Sequence, residues 1–373
     1  KRMNPFKYSD EKISDRELMI AIPSVIIGVG VLSLPREIAN VTLFSDGWIS
    51  ILIAGIFITF ITILGMKVAE LFPGKSFLSY TSHLVTKPIA LLFLLIVIVI
   101  SLFFCAYSTR YIAYIAQQYL FEHTPMEVIA LSFILVVVYA VSGSRAGLFR
   151  LNLLFLPIIL FVFLLVGVFN VTWIERNNFL PMFQTDLQGY LLGIKETFTA
   201  FLGFEIVLIY TMLINRPKKL TKKVIIGMSI PILFYIMIFL MTIGIFGYRV
   251  TANLEFPTIE LAKRVDIPGG ILERIDPFVF SVWTMTIFTT AAILLDVIVL
   301  LLSSLFKKIS KKMLTFILSP IVYYISMFPQ QIDHVQTATS IVSVIATYSL
   351  IAIVIILFIM TKIRGVKKSE NNN

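Results

Sequence analysis

The 373-residue chain contains one cysteine and three histidines, and only 14% of its residues are charged. The lone Cys105 cannot form an intramolecular disulfide or a thiolate metal cluster. His83, His123 and His334 lie far apart, in or beside expected loops, so no three-histidine metal site is expected. The P-loop glycine pattern, HExxH, CxxC and GxSxG are all missing, which argues against enzymatic chemistry and against a bound cofactor. What the chain has in abundance is apolar surface: 58% of residues are AVILMFWYC and the mean hydropathy is +0.94. Too little polar side chain remains to cover a soluble fold. An all-α polytopic membrane protein follows, a single membrane domain over 1–373 with no soluble domain attached.

Apolar stretches bounded by charge, proline or glycine predict ten membrane helices, at 17–40, 47–71, 88–121, 126–142, 147–170, 188–214, 222–247, 276–305, 313–328 and 335–362. They divide into a first five-helix half (17–170) and a second (188–362), with tails at 1–16 and 363–373. Charge placement tests this division independently. Of the 31 Lys and Arg, 23 fall on one side of the alternating spans and six on the other, while Arg110 and Lys195 lie within helices. That bias predicts an even number of spans with both termini cytoplasmic. The net charge of +10 is then a topology signal that also touches anionic lipid, and nucleic acid is not an expected partner. The basic N-terminus followed by an apolar run resembles a signal peptide superficially. Pro23, Gly28, Gly30 and Pro35 interrupt that run, it continues past signal length, and it lacks a small-x-small cleavage site, so it reads as the first span.

Two helices are interrupted in matching places. Ile22–Arg36, IPSVIIGVGVLSLPR, puts two glycines, two serines and two prolines inside the first span. One reading is a glycine-kinked helix packed tightly on a neighbour. The other is a discontinuous helix whose freed backbone groups line a polar cavity. Gly28 lies 12 residues beyond Arg16, roughly 18 Å along a helix, near the bilayer midplane. The sixth span breaks at Thr199–Glu205, TAFLGFE, where Gly203 precedes a carboxylate by two residues. Span 1 runs outward and span 6 inward, so the halves have inverted topology, and paired breaks of this kind point to a binding site at the repeat interface. An ionised Glu205 at mid-membrane costs about 2.5–3.5 kcal/mol, so it needs a cavity or a partner. It either binds a ligand or proton, or serves as a structural ion pair or helix-end cap.

Two further helices carry polar stripes. Thr286, Thr289, Thr290 and Asp296 share one face of the eighth span by helical spacing. Membrane threonines often bond back to their own helix, so this stripe marks either a ligand wall or local bonding. Phe104, Tyr107, Ser108 and Tyr111 form a stripe on the third span, either packing or ligand contact, with Arg110 at its edge. Arg110 is the counter-ion candidate for Glu205 or Asp296, and spacing alone does not choose between them.

These residues carry a family resemblance. Gly28–Arg36, GVGVLSLPR, is similar to the G-x-G-[IVL]-L-[ST]-L-P-R signature of the B subunits of GerA-type spore germinant receptors, a permease family in the amino acid, polyamine and organocation transporter superfamily. Asp46-Gly-Trp48, Asn178–Pro181, Phe201–Glu205, Phe256–Ile259, Ile271–Ile275 and Phe328-Pro329 follow in the family's order. The resemblance implies a LeuT-like 5+5 inverted repeat with broken helices 1 and 6. It implies a sensor for a small nutrient such as an amino acid, in the spore inner membrane, beside a larger A subunit and a lipoprotein C subunit. Its pocket would be framed by Gly28, Gly30, Phe104, Tyr107, Leu202 and Thr290, with Gly203, Glu205 and Thr289 adjoining from the breaks and the stripe. Leu294 stands where some relatives place an aromatic polar residue. The same fold would also serve an autonomous proton- or sodium-coupled amino acid transporter.

Overall fold

The computed structural model describes residues 12–28, 30–214, 220–265, 276–328 and 331–366. The motif at Ile271–Ile275, Pro329, the basic residues at 216–219 and the ends of both tails lie outside the described residues. The chain forms α1 (Asp15–Ile26), α2 (Gly30–Ala39), α3 (Gly47–Glu70), α4 (Phe77–Leu84), α5 (Lys87–Tyr119), α6 (Met126–Ser142) and α7 (Arg145–Asn170). The second half follows as α8 (Leu187–Ala200), α9 (Ile206–Tyr210), α10 (Leu220–Asn253), α11 (Pro257–Lys263), α12 (Asp276–Leu305), α13 (Lys311–Met327) and α14 (Ile332–Ile363).

The helix starts are set locally. Ser14 and Glu17 form a reciprocal capping box at α1: the Glu17 amide donates to Ser14 Oγ at 3.2 Å and the Ser14 amide to Glu17 Oε2 at 2.6 Å. Ser76, Ser144, Asp186 and Ser310 cap α4, α7, α8 and α13 in the simpler way. Hydropathy alone missed α4 and α11, which at 8 and 7 residues are too short to register as spans. The seventh span was expected to end at 247, and there Gly247 takes φ 71°, kinking the continuous run of α10 into a second short helical segment.

Among the described residues, six helices (α3, α5, α7, α10, α12 and α14) are long and apolar enough to cross a bilayer, and the α1–α2 pair, bent by 54°, makes a seventh if counted as one span. α6 is a shorter apolar helix of 17 residues, and α8, α9 and α13 fall below the same standard. Length and apolarity therefore support a multi-pass membrane protein without fixing the count at ten.

Hydrogen bonds at the two ends of the bundle reveal the inverted orientation. At one end Ile13, just before α1, forms a parallel bridge with Ile214, and the Ile13 amide donates to the Leu213 carbonyl at 3.3 Å. At the other end, where α2 finishes and α8 begins, the Leu43 amide donates to Thr185 Oγ1 at 2.9 Å and Ser50 Oγ to the Tyr190 carbonyl at 3.1 Å. The first interrupted helix thus leaves the end at which the second arrives. α12 is the most enclosed long helix, with 78% of its apolar window buried, and it packs on α1, α5 and α7. Lipid offers no hydrophobic drive for helix association, so close approach and hydrogen bonding must supply it. Gly227 of α10 shows how close: a β-carbon there would lie 2.7 Å from the Met19 carbonyl oxygen of α1.

The loop before α8 is held by one carboxylate. The buried Asp46 accepts the amides of Phe183 at 2.6 Å, Gln184 at 2.7 Å and Thr185 at 2.9 Å. Burial pushes this carboxyl up, but the donors from Thr185, Phe183 and Gln184 outweigh it and hold it below the usual aspartate range. Because the folded value is depressed, the clamp's contribution is fully present above about pH 4 and is lost as pH falls through that lower value. Asp46→Ala is expected to cut hydrogen-exchange protection of the 183–185 amides at least about tenfold at pH 6, since a hydrogen bond to a charged group contributes about 1.5–3 kcal/mol. Unchanged protection would show that the loop is held by other contacts.

Candidate ligand cavity at the helix breaks

The break between α1 and α2 leaves backbone carbonyls without helical partners, and three side chains from two other helices, α10 and α12, meet them. Thr290 Oγ1 on α12 lies 3.1 Å from the Ser24 oxygen and 3.3 Å from the Val25 oxygen, besides 3.0 Å from its own Thr286 carbonyl. Trp283 Nε1 donates to the Gly28 carbonyl at 3.4 Å. The Tyr235 hydroxyl on α10 lies 2.7 Å from the Ile26 oxygen and 3.1 Å from the Ala200 oxygen, so a single group reaches both broken helices. Unsatisfied backbone at membrane depth costs several kcal/mol, which accounts for this concentration of donors. Sequence reasoning missed Tyr235 and Trp283. A lone tyrosine and a lone tryptophan in apolar helices carry no periodic signal.

In the second break, Phe201–Glu205 leave the α-helical pattern between α8 and α9, with Gly203 at φ 112°. The Glu205 carboxylate turns back and accepts the Gly203 amide through Oε2 at 2.8 Å. Glu205 thus caps a break in its own helix, one of the two roles left open for it, while also forming part of a cavity wall.

That cavity has a volume of about 100 Å³ and lies between the two breaks. Of the residues expected at a ligand site, Gly30, Phe104, Tyr107, Leu202, Glu205 and Thr290 line it, and Gly203 does too. Gly28 and Thr289 stand back from the wall. Gly28 backs directly onto Thr290: a β-carbon there would sit 2.5 Å from Thr290 Oγ1 and 3.2 Å from Thr290 Cβ. Thr289 is fully buried and donates to the Thr286 carbonyl at 2.9 Å, the local bonding common for membrane threonines. Leu294 completes an apolar patch one turn beyond Thr290. Sequence reasoning also missed Ser33, Glu37, Thr199, Thr339 and Ser343, which line this cavity and a wider one of about 370 Å³ above it. The wider cavity includes Asn40, Glu255 and Gln336, and so lies toward the end of the bundle where α2 finishes and α14 starts.

The proposed partnership of Arg110 with a buried carboxylate needs correction. Asp296 is taken by Arg145, whose Nε lies 2.6 Å from Oδ2 and whose Nη2 lies 3.1 Å from Oδ1. The Tyr210 hydroxyl donates to Oδ2 at 2.8 Å, and Lys311 Nζ stands 3.5 Å from Oδ1. Arg110 Nη1 instead lies 3.7 Å from Met327 Sδ. Arg145, which lies between two expected spans, opens α7 and is buried. Asp296 is likewise not on the cavity wall with Thr290. Six residues separate them along α12, enough to move the carboxylate to the level of α9 and the α7 start.

Residues 12–335 match the family model described as "Spore germination protein". The chain belongs to the spore germination permease family, and within it resembles the B-subunit type. It is 40% identical over 337 residues to the spore germination protein GerLB of Bacillus cereus, covering 90% of each chain. It is 29% identical over 353 residues to the spore germination protein YndE of Bacillus subtilis strain 168, covering 95% of this chain and 97% of that one. Among solved structures, the crystal structure of MhsT in complex with L-phenylalanine matches with a TM-score of 0.64 at 14% identity, covering 91% of this chain and 89% of that one. At that identity the likeness establishes a LeuT-like fold and nothing about the ligand. The family is of permease and receptor type and not an enzyme family.

Proposed function

We propose that this chain is the germinant-sensing subunit of a spore germination receptor. It binds a small nutrient such as an amino acid in the cavity between the helix breaks. It passes occupancy to a larger A subunit and a lipoprotein C subunit in the spore inner membrane, with both of its termini cytoplasmic. The observation that carries this reading is the placement of Thr290. Its side chain lies on the cavity wall while its hydroxyl reaches the carbonyls of the interrupted first helix, so a ligand touching Thr290 also touches the break. Membership of the germination family supplies the biological setting.

The test is nutrient-triggered germination of spores carrying Thr290→Ala or Gly28→Ala, with protein levels followed by immunoblot. Gly28→Ala must displace a β-branched side chain with few alternative rotamers, so it is expected to shift the effective nutrient concentration at least about tenfold or to trigger germination without nutrient. Wild-type dose responses in both Thr290→Ala and Gly28→Ala at normal protein levels would place sensing elsewhere. The transporter-type fold supports a second reading, an autonomous proton- or sodium-coupled amino acid transporter. Robust solute uptake by this chain without its receptor partners would favour it.

A further inference from the structure

The charges around the cavity all but share one sign. On the inner wall the acidic side chains are Glu37 and Glu205, and no lysine, arginine or histidine among the described residues lines it. Glu205 has one oxygen committed to the Gly203 amide, so its charge is partly spent on the break. Glu37 lies on α2 seven residues past Gly30, roughly 10 Å along the helix axis, and shares a helix face with Ser33 four residues before it. Both residues line the inner cavity and the wider one above it, which places Glu37 at the passage between them. The wider cavity adds Glu196 and Glu255 against Arg36, the one cation among the described residues that line it. Of these, Glu196 is 3.8 Å from Lys195, and Glu255 accepts the Gln336 amide at 3.3 Å. A cleft with low-dielectric walls and an excess of one sign focuses its field on whatever enters.

We infer that Glu37 is the specificity-determining residue of this cavity, admitting ammonium-bearing nutrients with neutral or cationic side chains and excluding those with a second carboxylate. The inference rests on the sensing role proposed above. A zwitterionic nutrient can place its own carboxylate at the amino end of α2, which opens on the cavity through Gly30, and its ammonium toward the Glu205 side. Its side chain then extends along the α2 face toward Glu37. A neutral or donor-bearing side chain is accommodated there, whereas an anionic one meets a like charge at close range.

The experiment uses spores carrying the full-length chain with its receptor partners, and the twenty L-amino acids as probes, with asparagine against aspartate and glutamine against glutamate as matched pairs. Wild-type spores are expected to respond to one or more neutral or cationic amino acids, and at least about tenfold more weakly to an anionic member than to its amide. Glu37→Gln, which keeps the shape and removes the charge, is expected to narrow that ratio about tenfold or more. Leu202→Phe, which fills the inner cavity, separates the two claims. If Leu202→Phe abolishes the response while Glu37→Gln leaves the anion-to-amide ratio unchanged, the cavity senses nutrients but Glu37 does not select them. Equal wild-type responses to the acidic and amide members would overturn the inference at once. A response that survives Leu202→Phe, or the absence of any amino acid response, would overturn both the inference and the site on which it rests.

Discussion

Asp296→Asn is expected to destabilise the protein by about 3–5 kcal/mol, the usual cost of removing one partner from a buried ion pair. The magnitude follows from what is left behind. Asp296 is fully buried, and the Arg145 guanidinium that grips it with two hydrogen bonds is 3% exposed. Lys311 Nζ adds a second positive charge 3.5 Å away, partly satisfied by the Gly143 carbonyl at 2.9 Å. Neutralising the carboxylate removes the negative charge that both cations contact in a poorly solvated site. The damage also reaches the broken helix, because Tyr210, which donates to the same carboxylate, belongs to α9. A lower unfolding temperature of the purified protein and reduced accumulation in the membrane are the expected results. The double variant Arg145→Leu with Asp296→Leu should recover part of the loss, since it removes the buried guanidinium together with its carboxylate, while the partly exposed Lys311 still loses its contact. Equal stability of Asp296→Asn and wild type would mean that this network carries little of the fold.

Gly203→Ala is the second large effect expected, for a different reason. Gly203 holds φ 112°, a region nearly closed to residues with a side chain, and forcing alanine there costs about 1–3 kcal/mol. A β-carbon at this position would also lie 2.6 Å from Val25 Cγ1 on α1, adding an overpacking cost of about 1–3 kcal/mol. The residue therefore joins the two broken helices sterically as well as shaping one of them. Loss of nutrient-triggered germination is expected, with a lower protein level. Adding Val25→Ala should relieve the clash while leaving the backbone strain, so rescue should be partial. Full rescue would assign the whole effect to packing, and no rescue would assign it to the backbone.

Much of this architecture was legible in the sequence, and the reasons differ between parts. The two breaks were legible because glycines and prolines cluster within 15 residues of the first span and Gly203 stands beside a mid-span carboxylate in the sixth, and both interruptions lie where expected. The wall residues Phe104, Tyr107 and Thr290 could be anticipated from helical spacing and from the family signature together. The Asp296 partner could not. Arg145 lies 151 residues away and looked like a loop residue, because charge counting reports the side of the membrane and not the depth of a helix end. Tyr235 escaped for a related reason: its importance comes from where α10 crosses both breaks, which is tertiary information. Glu37 was passed over within the family signature's own helix. Its charge follows an arginine near a helix end, a position that ordinarily signals nothing more than the membrane boundary.

The central claim is that the space between the two helix breaks is where a small nutrient binds, and thermal stabilisation of the purified full-length chain tests it most directly. Each of the twenty L-amino acids would be titrated against the wild-type protein and against Leu202→Trp, whose indole fills the inner cavity. A ligand that binds only the folded state raises the unfolding temperature in a saturable way. The account predicts such a rise for at least one amino acid with the wild-type protein and none with Leu202→Trp. No stabilisation by any of them, or the same stabilisation with the cavity filled, would contradict it.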